Sequence, residues 1–161
     1  MHMIVAKSDL GMTIQNDSSA VACGLDPQTL PTGMTGDALE CTHITDTSGI
    51  FFHGLTANLE VDVPYTFSFF FRNGTFDSPY GHLPPEPSIK MISPNGSGGG
   101  QMGTFDSYPN GWYRQRYLFT ATATGTYQLG FSHSLNRPPG GGYWLYGFQL
   151  ETGNAVTDYV P

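Results

Sequence analysis

The chain has 161 residues, with six Lys and Arg against 13 Asp and Glu and a formal charge of −7. That length suits a single domain, predicted as one β-sandwich over residues 1–161 with 1–35 as an N-terminal arm or irregular first strand. The negative field and six scattered bases argue against nucleic acid and anionic lipid, and no apolar run of membrane-spanning length or signal-peptide pattern appears.

Only 12% of residues are charged, while 21 Gly, 12 Pro and 14% aromatics point to strands and turns. No stretch carries the capped periodicity of an amphipathic helix. In chain order, Ala38–Ile44 and the glycine-bounded run Gly49–Gly54 read as strands. Ala57–Val63 alternates, with Leu59, Val61 and Val63 predicted inward and Glu60 and Asp62 outward. Tyr65–Phe71 is the strongest strand, with Tyr65, Phe67, Phe69 and Phe71 inward. Phe70 then faces away from the core, so either a loop covers it or it belongs to a subunit interface.

Residues 72–88 and 93–111 read as long loops around the strand Ser88–Ile92, and both carry a Gly-Thr-Phe-Asp-Ser phrase. Shared turn chemistry explains the phrase; the alternative is that both loops present Tyr80, Tyr108, Asp77 and Asp106 to a common partner. Gly98, Gly100 and Gly103 form a G-x-G-x-x-G pattern without the following helix that a pyrophosphate site needs. Trp112–Thr120 alternates, with Tyr113, Tyr117 and Phe119 inward and Trp112, Arg114, Arg116 and Leu118 outward, and is expected to form a hairpin with the strand through Tyr127, Leu129 and Phe131. Trp144, Tyr146, Phe148 and Leu150 fall at every second position and predict one apolar row that needs a second sheet. A turn at Thr152-Gly153-Asn154 leads into a tail that can close along the sandwich. The pattern is all-β: a jelly-roll sandwich of two antiparallel sheets with about eight or nine strands.

Gly111-Trp112-Tyr113-Arg114, Tyr117–Ala121, Gly125-Thr126-Tyr127, Tyr146–Gly153 and Thr157–Pro161 together resemble the closing half of carbohydrate-binding-module-like jelly rolls in bacteriophage structural proteins, which typically end on a WGxQLExG phrase. The resemblance spans roughly residues 59–161. It implies a first strand pairing beside the last one, and a virion protein assembled in the host cytoplasm. In such a reducing compartment, Cys23 and Cys41 are read as buried thiols, although a disulfide between them would close a loop stabilising by about 3 kcal/mol.

No nucleophile elbow, zincin motif, C-x-x-C or P-loop is present, and no carboxylate pair stands out, so neither catalytic residues nor cofactors are expected. His43, His53, His82 and His133 form no metal-ligand spacing. Calcium held by Glu40, Asp46 and Asp158 lacks a supporting D-x-D-x-D loop and is not claimed. What remains is recognition. Trp112, Tyr80, Tyr108 and Tyr143 are the rings least committed to a core, Arg114 and Arg116 flank Trp112 on one face, and Phe70 adds an apolar contact. The first reading is a non-catalytic capsid decoration or cement module docking on a major capsid or other virion protein as a homo-oligomer, a trimer being favoured. The alternative is a glycan-binding host-receptor adhesin of a tail fibre or spike.

Overall fold

The computed structural model describes residues 4–7, 21–43, 51–73, 88–97, 103–133 and 142–159. The strands are β1 (Ile4–Lys7), β2 (Val21–Asp26), β3 (Ala38–His43), β4 (Phe51–Leu59), β5 (Pro64–Asn73), β6 (Ser88–Ser93), β7 (Gly96–Ser97), β8 (Thr104–Tyr108), β9 (Trp112–Thr120), β10 (Gly125–His133) and β11 (Gly142–Thr152). Nine of them have five residues or more, and the one helical element among the described residues is a 3-10 turn at Pro109–Gly111. The protein is all-β, a jelly-roll sandwich of two antiparallel sheets, as its alternating pattern predicts.

The larger sheet runs β2-β3-β11-β5-β9-β8, and the smaller runs β4-β10-β6-β7. β3 pairs with the first half of β11, and β1 pairs with Gln149, Leu150 and Glu151 in its second half. The N-terminal strand therefore lies beside the last one, as the family resemblance implies. Between the sheets lie Phe67, Phe69, Leu145, Phe148 and Leu150 from one side and Leu59, Ile89, Tyr127 and Leu129 from the other, all at most 1% exposed. Phe148 stacks with Phe67 at 5.8 Å and meets Phe69 at 5.0 Å between ring centroids.

The row Trp144, Tyr146, Phe148, Leu150 does not exist as predicted. The register of β11 against β5 shifts between Tyr146 and Gln149, so Gly147 and Phe148 together stand opposite Phe69. Gly147 has φ of 65°, in the left-handed region where a side chain is strained, and it carries this bulge. Before it, Tyr143 and Leu145 face the sandwich; after it, Phe148 and Leu150 do. Trp144 and Tyr146 face outward with Phe70 and Trp112 and form a second apolar cluster with Tyr159.

Other expectations change for equally local reasons. The predicted runs at 49–54 and 57–63 are one strand, β4, which stops at Leu59. Asp62 takes φ of 65°, the Val63 amide donates to the Glu60 carbonyl at 3.3 Å, and Val61 is left 44% exposed on the turn. β9 and β10 are no hairpin, since β9 lies in the larger sheet and β10 in the smaller. Their aromatic rows meet across the core instead, with Phe119 and Tyr127 6.4 Å apart. The second predicted loop contains β8, hairpinned onto β9 through the 3-10 turn, where Asn110 and Gly111 both have positive φ.

Cys23 and Cys41 are directly opposite in the β2–β3 register, with Cα atoms 4.1 Å apart, and they form a disulfide. The buried-thiol expectation fails because neighbouring antiparallel strands bring the two side chains together on one face. Intact mass and thiol titration of the unfolded, unreduced protein should therefore find no free thiol. Replacing both cysteines by Ser should lower unfolding free energy by about 3 kcal/mol; two titratable thiols would contradict the pairing.

The bulge is also testable. A Cβ at Gly147 would lie 3.3 Å from both the Phe70 and Tyr159 rings as well as being strained by its φ. Gly147→Ala is expected to cost roughly 1–3 kcal/mol in urea denaturation. Gly24→Ala, on the edge strand with nothing within 4 Å of the added methyl, should cost far less.

Candidate functional site

The outward face of the larger sheet is built from side chains that the strand register sets in rows. Across β11, β5, β9 and β8, one row reads Trp144, Arg72, Trp112, Tyr108 and the next reads Tyr146, Phe70, Arg114, Asp106. One-faced antiparallel sheets commonly leave such a face to water. Here two segments of the same chain cross it.

The first is residues 27–37. Asp26 starts it: its Oδ1 accepts from the Gln28 amide at 2.8 Å and the Thr29 amide at 3.2 Å, and its Oδ2 accepts from Trp144 Nε1 at 3.0 Å. Those bonds, the Gln28 amide first, hold the Asp26 carboxyl below its ordinary value despite some desolvation. Further along, the Tyr146 hydroxyl donates to the Thr35 carbonyl at 2.7 Å and the Tyr108 hydroxyl to the Thr32 carbonyl at 3.1 Å. The aromatic rings are thus apolar on their faces and polar at their tips, which is how they can fasten a loop.

The second segment is the tail after β11. The Thr66 hydroxyl donates to the Gly153 carbonyl at 2.7 Å. The fully buried Glu151 carboxylate accepts from the Thr157 amide at 3.2 and 3.3 Å and from the Thr157 hydroxyl. Tyr159 is thereby laid edge-on against Phe70 at 6.3 Å and Tyr146 at 5.3 Å.

Between loop and tail an open depression of about 390 Å³ remains. Phe70 forms its floor; Thr32, Gly33 and Met34 form one wall, Tyr108 and Arg114 another, and Asp158 and Tyr159 close it from the tail. Tyr108 packs edge-on to Phe70 at 5.2 Å, and the Arg114 guanidinium lies 5.1 Å over the same ring. Burial lowers Arg114 from its ordinary value, opposed chiefly by the nearby Glu151 and Asp158 charges. The chemistry offered is therefore the partly exposed Tyr108 ring with a cation, a carboxylate and hydroxyl groups around it, the composition of a small polar ligand's seat.

Of the residues singled out from sequence, Phe70, Tyr108 and Arg114 come together here. Phe70 and Trp112 are each 1% exposed and cannot serve as open contact rings, because the loop and tail cover the face they point to. Tyr143 is buried in the main core, stacked on Phe71 at 6.1 Å. Arg116 stands apart, paired with Asp106 at 3.5 Å and donating to Thr104 Oγ1 at 3.0 Å. Tyr80, Asp77, Asp46 and His82 lie outside the described residues. Thr32 and Met34 were missed, and Asp158 was weighed only as a calcium ligand and not claimed; their neighbours come from segments more than 30 positions away, and only the expected closure of the tail hinted at Asp158 in this place. Among the described residues, no three His, Cys, Asp or Glu side chains converge as a metal set.

No family model and no curated protein matches the sequence. Solved structures do match in shape. The CBM22-1 xylan-binding domain of Paenibacillus barcinonensis Xyn10C superposes with a TM-score of 0.50 at 12% identity, covering 97% of this chain and 95% of that one. The C-terminal family 22 carbohydrate-binding module of Clostridium thermocellum Xyn10B gives 0.54 at 10% identity, covering 98% and 95%. The fold is that of carbohydrate-binding modules. The enzymatically active domain of bacteriophage CBA120 tailspike protein 4 shares it too, with a TM-score of 0.60 at 9% identity over 89% of this chain and 19% of that one. At such identities the carbohydrate-binding-module likeness is a likeness of fold.

The loop's anchoring carries a pH signature. Burial, then the neighbouring Tyr159, pushes the Tyr146 hydroxyl up to about 12, against about 10 in an unfolded chain. Between those values the unfolded state loses its proton first, so stability falls as pH rises, by on the order of 1 kcal/mol per pH unit. Tyr146→Phe should lose about 1 kcal/mol at neutral pH with the Thr35 bond yet show a flatter decline than wild type above pH 10. Denaturation across that range is the measurement, and parallel curves would refute the assignment.

Proposed function

We propose that this protein is a non-catalytic glycan-binding module, seating a sugar in the depression over Phe70. The observation that carries the reading is the site itself: an open depression beside the partly exposed Tyr108 ring, which suits the apolar side of a pyranose, with Arg114 and Asp158 at its edge, whose hydrogen-bonding groups suit its hydroxyls. Its fold supports the reading, because the superposed Xyn10C domain is a xylan-binding one. Cleavage of a glycosidic bond ordinarily takes two carboxylates, whereas among the described residues Asp158 is the single carboxylate lining the depression and Glu151 is engaged by Thr157. A tail-fibre or spike setting, in which the module would be a host-receptor adhesin, belongs to the same proposal and rests on the sequence's resemblance to phage jelly rolls. Capsid decoration is set aside, since the fold's likeness to carbohydrate-binding modules supports the glycan reading and two of the candidate docking contacts, Phe70 and Trp112, are inside the protein.

Screening the purified chain on a glycan array, followed by calorimetry on the hits, tests this. Asp158→Ala and Tyr108→Ala are each expected to weaken a hit about tenfold, the loss of roughly 1.4 kcal/mol, with cooperative unfolding retained. Absence of any glycan bound more tightly than millimolar, or hits indifferent to both substitutions, would remove the proposal.

A further inference from the structure

Arg114 is unusual in what the fold withholds from it. The chain has 13 acidic residues for six basic ones, so a base is easily paired. Asp106 even stands directly opposite Arg114 in the β8–β9 register. Yet the Asp106 carboxylate turns to Arg116 at 3.5 Å, and among the described residues no carboxylate lies within ion-pair distance of Arg114. Its recorded hydrogen bond is a long one, Nη2 donating to Ser68 Oγ at 3.4 Å, and its Nε is buried with no acceptor. A guanidinium carries five N–H donors in a rigid fork, and leaving some of them unfilled as the group is desolvated is costly. Arg114 also lines the open depression, so a ligand there can meet the part of the guanidinium that is not shielded.

The two nearby acids do not fill the gap. Glu151 is committed to the amide and hydroxyl of Thr157. Asp158 is exposed on the tail and lines the same depression, near enough to act on the Arg114 charge without bonding to it.

We infer that Arg114 receives the carboxylate of an acidic sugar, so that the glycan bound here contains uronic acid residues; this rests on the glycan-binding reading above. A planar two-oxygen anion matches the guanidinium fork in a way a sugar hydroxyl does not. The space, about 390 Å³, is far larger than a carboxylate alone and has the partly exposed Tyr108 ring at its side, which fits an anion carried on a pyranose. Asp158 is placed to accept hydroxyl hydrogens from that ring. Because the protein's net charge is −7, its long-range field repels a polyanion, so affinity must come from this one contact and not from general attraction.

The test is calorimetry on the whole chain with glucuronic- and galacturonic-acid oligosaccharides, neutral xylo- and gluco-oligosaccharides of equal length, and sodium acetate as the carboxylate alone. Acidic oligosaccharides should bind about 30-fold more tightly than neutral ones, the size expected of charge-assisted hydrogen bonds. Arg114→Met, which keeps an apolar stem over Phe70, should abolish that preference, and Arg114→Lys should restore part of it. Asp158→Asn, which removes a like charge, should tighten binding of the acidic sugars. Equal affinity for acidic and neutral sugars would overturn the inference while leaving glycan binding intact, as would a preference that survives in a cooperatively folding Arg114→Met protein. Acetate binding as tightly as the oligosaccharides would also overturn it. Binding of no sugar at all would remove the glycan-binding reading together with this one.

Discussion

A strand must serve two faces at once, and β11 does so only because its alternation is interrupted at Gly147. With an unbroken period of two, Trp144, Tyr146, Phe148 and Leu150 would share one face and Leu145, Gln149 and Glu151 the other. Leu145 would then lie outside the sandwich, or Phe148 and Leu150 would leave it. The bulge inserts one residue against Phe69 and exchanges the faces midway. Tyr143, Leu145, Phe148 and Leu150 all enter the core, while Trp144, Tyr146, Gln149 and Glu151 all face outward. A residue with positive φ, squeezed between the Phe70 and Tyr159 rings, is required at the exchange, and glycine meets both demands. On the outer face, Trp144 and Tyr146 inherit their position from that residue, and the Tyr159 ring packs beside it.

The outer face would otherwise be a liability. Phe70, Trp112 and Tyr146 form an apolar patch in the middle of a sheet, while Thr66, Ser68, Gln149 and Glu151 place polar groups beside it, and all seven are at most 5% exposed. Buried polar groups need partners. The loop and tail provide them: Thr66 bonds to Gly153, Tyr146 to Thr35, Gln149 Nε2 to Thr157 Oγ1 at 3.4 Å, and Glu151 to Thr157. Covering the face and satisfying these groups are thus one structural solution, though Trp112 Nε1 and Gln149 Oε1 stay buried without a hydrogen-bond partner among the described residues, and the depression is the place where the two covering segments do not meet.

Much of this was legible in the residues. The alternation of Tyr65–Phe71 and of Tyr113–Phe119 states which side chains enter the core, and the structure keeps both parities. Turn residues and the absence of helical periodicity state the class. Other features were not legible because they depend on partners distant in sequence. Alternation cannot tell a hairpin from a crossing between sheets, since β9 and β10 present the same inward pattern either way. A glycine inside a strand does not announce a bulge until the opposing register is known. Outward parity says that Trp112 leaves the main core, but not that a loop from residues 27–37 lies over it. The buried-thiol expectation failed for a different reason: it was argued from an assumed compartment, and the register of β2 on β3 overrides that argument.

The electrostatics of the face follow from the same register. Arg114 and Arg116 lie two apart on one strand, and β8 offers Thr104 and Asp106 opposite them. One carboxylate cannot serve both guanidinium groups fully. Arg116 takes Asp106 and Thr104 and remains partly solvated. Arg114, two residues before it on the same strand, lies over Phe70, where a delocalised cation tolerates an aromatic face better than an ammonium would. Desolvation sharpens its electrostatic interactions and makes each unfilled donor more costly. In a protein with so few charges, one guanidinium held in this way would discriminate between the proposed ligands more strongly than a basic patch, because its effect would depend on the shape of the anion and not merely on its sign.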